Sequence, residues 1–173
     1  MKHLNVEIKA KCDYPGEIKY LLMSENADFK GLDHQIDTYF KVKNGRLKLR
    51  EGNIENYLIY YNREDKAGPK ESRVTLYKTK PGSGLKQILT DALGELIVVD
   101  KERQIYFIDN IKFHIDKVKD LGGFVEIEAI DETGKVGREQ LLRQCNHYLR
   151  LFKIKESDLI NCSYSDLLLS KSD

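Results

Sequence analysis

The sequence predicts an α+β fold: an eight-stranded antiparallel β-barrel, a tunnel with a charged interior, with helices packed outside. Three observations predict it. About eight runs alternate apolar with polar residues, the period of a half-buried strand. Most are joined by connections too short for a parallel crossover, so the strands pair antiparallel. Charge is also sorted by strand, with Arg46, Lys48 and Arg50 on one face of theirs and Glu126 and Glu128 on one face of another. Like charges on one strand gain nothing in isolation. Eight strands can close, which removes the sheet edges and lets opposite charges meet across a lumen.

The opening "LNVEIKAKC" (4–12) puts Leu4, Val6, Ile8 and Ala10 on one face and Asn5, Glu7, Lys9 and Lys11 on the other. "PGEIKYLLMSENADF" reads as a helix, because Ile18, Leu21 and Leu22 share a side at helical spacing. "HQIDTYFKV" (34–42) and "RLKLREG" flank Asn44-Gly45, a hairpin signal because both residues tolerate positive φ. "NYLIYYNRED" (56–65) and "ESRVTLYKTK" (71–80) flank the turn-rich "KAGPK". "SGLKQILTDALG" is a second helix, with Ser83 as its expected cap and Gly94 at its end. "GELIVVDKERQIYFI" (94–108) meets "IKFHIDKV" (111–118) across Asp109-Asn110, and "LGG" (121–123) leads into "FVEIEAID" (124–131). "REQLLRQCNHYLRLF" gathers Leu141, Leu142, Cys145, Leu149 and Phe152 on one helical face, and "SYSDLLL" is a short final helix.

The chain has 173 residues, 40% hydrophobic and 33% charged, which suits one globular domain over 1–173. A net charge of +1 gives no whole-molecule attraction to nucleic acid or an anionic membrane, so neither is an expected partner. No apolar run spans a bilayer, and "MKHLNVEIK" lacks a signal-peptide core. Cys12, Cys145 and Cys162 are too few for a disulfide framework or zinc site and read as free thiols in the cytoplasm.

A barrel with its charged faces inward must hold a charged guest, because unpaired buried ions cost several kcal/mol each. Arg and Lys match phosphate oxygens. Clustered carboxylates match a hard divalent cation, Mg²⁺ or Mn²⁺. A polyphosphate with its metal satisfies both.

Five motifs in one order, "VEIKAK", "LKLR", "KERQIYF", "FHIDKV" and "FVEIEA", resemble the CYTH superfamily of triphosphate tunnel metalloenzymes. "QIDTYF" and "SYSDLL" look most like its class IV adenylyl cyclase branch. The resemblance implies a tunnel that binds a triphosphate and a divalent metal. The family's first-strand signature is E-x-E-x-K, where this chain has Asn5, Glu7 and Lys9, so one ligand is a neutral amide. By the same matching, Glu126, Glu128 and Glu7 would hold Mg²⁺ or Mn²⁺, with Asp116 a fourth ligand directly or through water. Lys9, Lys48, Arg50, Lys101 and Arg103 would hold phosphates. Arg46, Arg63 and Lys11 have suitable character with less motif support. The family is often dimeric, so a homodimer is allowed, although no coiled-coil seam shows.

Three activities fit this resemblance. In the first, a cyclase turns ATP into cyclic AMP and pyrophosphate, with Glu7 or Asp116 as candidate general base. In the second, a hydrolase attacks inorganic triphosphate, thiamine triphosphate or a nucleotide. Its family version uses a tyrosine–lysine pair, for which Tyr39 is the tyrosine, while the lysine position falls near Asn62 or Arg63. In the third, the protein binds polyphosphate or nucleotide without turnover. "GSG" (82–84) lacks the Lys-Ser/Thr of a P-loop and reads as a helix-start turn. His114 reads as a structural histidine.

Overall fold

The computed structural model describes residues 2–63 and 65–172. Its strands are β1 (Lys2–Lys11), β2 (Asp28–Phe40), β3 (Arg46–Gly52), β4 (Tyr57–Arg63), β5 (Lys70–Lys78), β6 (Glu95–Ile108), β7 (Ile111–Val118) and β8 (Gly122–Asp131). They form a closed barrel in the order β1-β5-β4-β3-β2-β6-β7-β8, each neighbouring pair antiparallel. Two meanders, β2 to β5 and β6 to β8, meet along the β2–β6 pairing. β1 seals the remaining gap between β5 and β8. Gly123 permits close approach at this seam, since a Cβ there would stand 2.4 Å from the Cys12 carbonyl oxygen. The helices lie outside the hairpin connections. α1 (Pro15–Ser24) links β1 to β2, α2 (Leu85–Leu93) links β5 to β6, and α3 (Arg138–Leu151) and α4 (Tyr164–Lys171) follow β8.

Local chemistry explains most boundaries. Asp109 takes φ +49° in the two-residue β6–β7 turn, and Gly94 takes φ +77° where α2 ends. The β2–β3 connection differs from the expected two-residue turn. Gly45 has φ +65°, but the loop runs over 41–45, because the Lys41 N–H is drawn to the Gly94 carbonyl at 3.1 Å. Ser83 does not cap α2; Gly84 holds that position, with no side-chain cap bond. Ser163 does cap α4, in a reciprocal capping box with Asp166.

The main apolar core lies outside the barrel. Val6, Ile8, Ala10, Ile111, Phe113, Ile115, Val125, Ile127 and Ala129 pack there against Ile18 and Leu22 of α1 and Leu141, Cys145 and Tyr148 of α3. This is the alternation expected of β1, β7 and β8. Helices do not cover the whole exterior, however. α2 has no fully buried residue, and Leu32, Leu96 and Val98 on β2 and β6 stay exposed.

A second apolar cluster closes one end of the barrel interior. Tyr39, Ile59, Tyr61, Val99, Val118 and Phe124 pack there with Tyr164 of α4. The lumen is therefore charged along only part of its length. The chain reaches this end because Leu159 bridges Ala10 and the Ile160 N–H donates to the Lys9 carbonyl at 2.9 Å. That extends the sheet beside β1 just past the start of β5.

Candidate active site

The inward positions converge on a cavity of about 260 Å³. Seven basic side chains line it: Lys9, Lys48, Arg50, Arg63, Lys101, Arg103 and Lys112. Glu7, Glu126 and Glu128 face them, and register explains why they cluster. Glu7 lies opposite Glu128 and Lys9 opposite Glu126 on β1–β8, while Lys112 and His114 oppose the same two glutamates from β7. Directly opposed residues share a face of the sheet.

Most of the ions inside the barrel are paired around Asp37, Asp116 and Glu55, and Arg63 pairs with Glu7. Asp37, 1% exposed, accepts from Arg50 Nε at 2.8 Å, Arg50 Nη2 at 2.9 Å, Lys48 Nζ at 2.9 Å and Lys101 Nζ at 2.7 Å. Burial alone would raise its carboxyl; Arg50, Lys101 and Lys48 overcome this and hold it well below the usual carboxylate range. Asp116 receives both Arg103 Nε at 2.7 Å and Nη2 at 2.6 Å, and Arg103 also reaches Glu126 at 3.0 Å. Glu55 joins Arg50 at 3.1 Å to Lys112 at the open end. Its placement follows from Asp33, fully buried, which accepts the Ile54 and Glu55 N–H groups at 2.8 and 3.0 Å and so folds the β3–β4 turn inward.

Several groups keep unused capacity. Arg63 donates to Glu7, yet its Nε and Nη2 are buried without a partner. His114 Nδ1 contacts Glu126 at 3.3 Å, and its Nε2 is unpaired. Burial, helped by Arg103, pushes this imidazole down to about 3, so it is neutral. Lys9 packs over the Tyr164 ring at 4.0 Å, and burial brings its ammonium down to about 8 against the pull of Glu126. The two orphaned Arg63 donors in this cationic cavity are what an anionic ligand would satisfy; the neutral His114, donating from Nδ1 to Glu126, leaves Nε2 as an acceptor.

Among the described residues, no three His, Cys, Asp or Glu side chains stand in a ready metal-holding group. Each glutamate is engaged instead, Glu7 by Arg63, Glu126 by Arg103 and His114, and Glu128 by the Asn5 amide N–H. Two features nonetheless fit a hard cation. Asn5 Oδ1 is buried without a partner. Burial pushes Glu128 up to about 7, Glu126 and Glu7 add to the rise, and Lys112 opposes it; a hard cation would relieve that carboxyl. The donor types fit, with one neutral amide among them.

Of the residues expected from the sequence, Glu7, Lys9, Lys48, Arg50, Arg63, Lys101, Arg103, Glu126 and Glu128 are brought to the cavity. Three are not. Lys11 is exposed, because β1 has by then reached the barrel end. Arg46 turns to Asp166 at 2.8 Å and Asp65 at 3.2 Å, clamping α4. Asp116 lies behind Arg103, where Tyr164 Oη also donates to it at 2.7 Å. Sequence reasoning passed over Asp37, Glu55 and Tyr164; it placed Lys112 on the charged face of its strand, with His114 and Asp116, but gave it no role in the site. The alternation of Gln35, Asp37 and Tyr39 could have revealed Asp37; Glu55 and Tyr164 lie in a turn and a helix, where strand alternation carries no information.

A family model described as the CYTH domain matches residues 3–158. No curated protein matches. Among solved structures, the PH1012 protein of Pyrococcus horikoshii OT3 superposes with TM-score 0.79 at 24% identity, covering 94% of this chain and 98% of that one. A candidate adenylate cyclase of Vibrio parahaemolyticus gives 0.73 at 18%, covering 96% and 98%. HpAC1 of Hippeastrum, a candidate adenylyl cyclase with a dominant triphosphatase activity, gives 0.60 at 12%, covering 98% and 95%. At these identities the structural likenesses show the fold alone.

Proposed function

The chain belongs to the CYTH domain family, and we propose that it is a metal-dependent enzyme that holds a triphosphate in its tunnel and, as a class IV adenylyl cyclase-like lyase, converts ATP to cyclic AMP and pyrophosphate. One observation carries this reading: seven cations and three clustered glutamates share one cavity, and Arg63 keeps two buried donors unused.

Lys48, Arg50 and Lys101, preset by Asp37, would fix the phosphates, with Lys9, Arg63 and Arg103 opposite them. Mg²⁺ or Mn²⁺ would be held by Glu7, Glu126 and Glu128 with the Asn5 amide oxygen, and when bound it lowers the pKa of the attacking hydroxyl and offsets charge at phosphorus. The ribose 3′-oxygen bonds to the α-phosphorus, the bond to the bridging oxygen breaks, and pyrophosphate leaves with that electron pair. Fixed cations stabilise the charge that collects on the leaving group. Glu7 borders the cavity and is the better placed proton acceptor; Asp116 is held away by Arg103 and Tyr164.

A hydrolase is the second reading, and one contact favours it. Tyr39 Oη lies 3.4 Å from Lys48 Nζ, so a tyrosine–lysine pair exists, with its lysine on β3 rather than near Asn62 or Arg63. Burial, with Asp37 adding, pushes Tyr39 up to about 12, which makes it a hydrogen-bond donor rather than a base.

The test is to incubate the protein with Mg²⁺ or Mn²⁺ and ATP, tripolyphosphate or thiamine triphosphate and identify the products. Cyclic AMP and pyrophosphate support the lyase; orthophosphate supports the hydrolase; binding without turnover leaves a polyphosphate-binding protein. Glu126→Gln with Glu128→Gln should abolish metal-dependent turnover, and undiminished activity there would refute the metal assignment.

A further inference from the structure

The open end of the tunnel carries a carboxylate that the proposed chemistry does not use. Glu55 lies in the β3–β4 turn, yet its side chain is only 13% exposed and joins separate walls of the barrel. One oxygen accepts from Arg50 Nη1 of β3 at 3.1 Å and from Gln35 Nε2 of β2 at 3.0 Å. The other pairs with Lys112 of β7, three strands further round the barrel from β3. The turn is held as firmly as the side chain. Asp33 accepts its Ile54 and Glu55 N–H groups, and Asn56 exchanges hydrogen bonds with the Gly52 N–H and carbonyl at 3.1 and 2.9 Å. Burial alone would raise the Glu55 carboxyl; Lys112 and Arg50 outweigh it and hold the group below the usual carboxylate range. Glu55 is therefore a fixed negative charge rather than a swinging arm.

Its position along the tunnel gives that charge a use. Along β2, Asp37 and Tyr39 follow Gln35 toward the α4 end, with Arg50 and Lys48 opposite them, so the cations around Asp37 lie inward of Glu55. Lys112 is the first inward residue of β7, and Glu55 already engages it. Toward the rim the lining continues with Phe107, Ile130 and Glu132, none of them a cation. Lys78, opposite Tyr57, is exposed to solvent and does not line the cavity. A phosphate placed at this level would meet the Glu55 carboxylate and, beyond it, Glu132. Like charges forced together on binding select strongly against a ligand.

We infer that Glu55 is a specificity-determining residue, a fixed charge stop at the tunnel mouth that rejects a phosphate chain longer than the one held inward of it. This rests on the tunnel being a triphosphate site, which sets the accepted length at three. Gln35, Arg50 and Lys112 hold the stop in place, and Asp33 delivers it there.

The experiment is calorimetric titration at one fixed free Mg²⁺ concentration with two non-cleavable probes, analogues of linear inorganic tri- and tetraphosphate with methylene groups in place of the bridging oxygens. The wild-type protein should bind the triphosphate analogue about tenfold more tightly, although the tetraphosphate carries more charge. Glu55→Gln keeps an oxygen to accept from Arg50 and removes the charge, so the two affinities should come within about twofold of each other. Glu55→Asp keeps the charge and should keep the preference. A purely structural role would weaken both probes in parallel and leave their ratio unchanged. That result in a folded Glu55→Gln overturns the inference, as does wild-type protein that binds the tetraphosphate analogue as tightly as the triphosphate, which is decisive even if the variant does not fold. Both results leave the triphosphate site standing. If the wild-type protein binds neither probe, the site and the stop fall together.

Discussion

Glu128 gives the most direct physical test of the carboxylate cluster. Burial is the largest influence on it and, with Glu126 and Glu7, pushes its carboxyl from 4.5 to about 7. Between those values the folded protein keeps a proton that the unfolded chain has lost. Stability contributed by this group therefore falls as pH rises from 4.5 to 7 and stays low above. At ~1.4 kcal/mol per pH unit the gap is worth about 3 kcal/mol, a ceiling because the side chain still borders the cavity. Glu128→Gln removes the titration while keeping an oxygen to accept from Asn5. Urea unfolding in EDTA should show the variant roughly 1 kcal/mol more stable than wild type at pH 5 and about 3 kcal/mol more stable at pH 8. Mg²⁺ should narrow the pH 8 difference by stabilising only the wild type appreciably. A difference that is flat between pH 5 and pH 8 would refute the claim of a desolvated, charge-crowded carboxylate.

Three further outcomes follow from the ionic groups. Lys101→Ala removes one of the cations on Asp37 and should weaken tripolyphosphate binding by roughly ten- to a hundredfold in calorimetry, as loss of one charged hydrogen bond does; an unchanged affinity would count against its role. Arg103→Met strips Asp116 and Glu126 of their shared partner and should cost roughly 3–5 kcal/mol in chemical denaturation at pH 8, less at pH 4 where protonation relieves the carboxylates. Gly52→Ala would place a Cβ 2.8 Å from both Asp33 carboxylate oxygens and from the Glu55 carbonyl oxygen, so a loss of about 1–3 kcal/mol in unfolding free energy is expected.

The strand pattern was readable because alternation is a local property. Val6 and Ile8 lie under α1 and α3, and Glu7 and Lys9 line the cavity, as their spacing requires. The same logic carried Lys48, Arg50, Lys101 and Arg103 inward. It failed at strand ends, where alternation no longer tells a lining residue from a rim residue. Lys11 reaches solvent there, and Arg46 is captured by Asp166 of a helix more than a hundred residues away in sequence. Asp116 does face inward, but only its neighbours decide that Arg103 and Tyr164 use up its oxygens.

The sequence by itself determined which side of each strand is charged, and so that a closed sheet would enclose ions, because side-chain direction in a strand depends only on parity. Only the tertiary structure decided which ions meet. Asp37 gathers cations from β3 and β6, and Glu55 is carried inward by a turn that Asp33 folds. Those partnerships depend on barrel order and strand stagger, which arise from long-range pairing and leave no periodic mark in the chain.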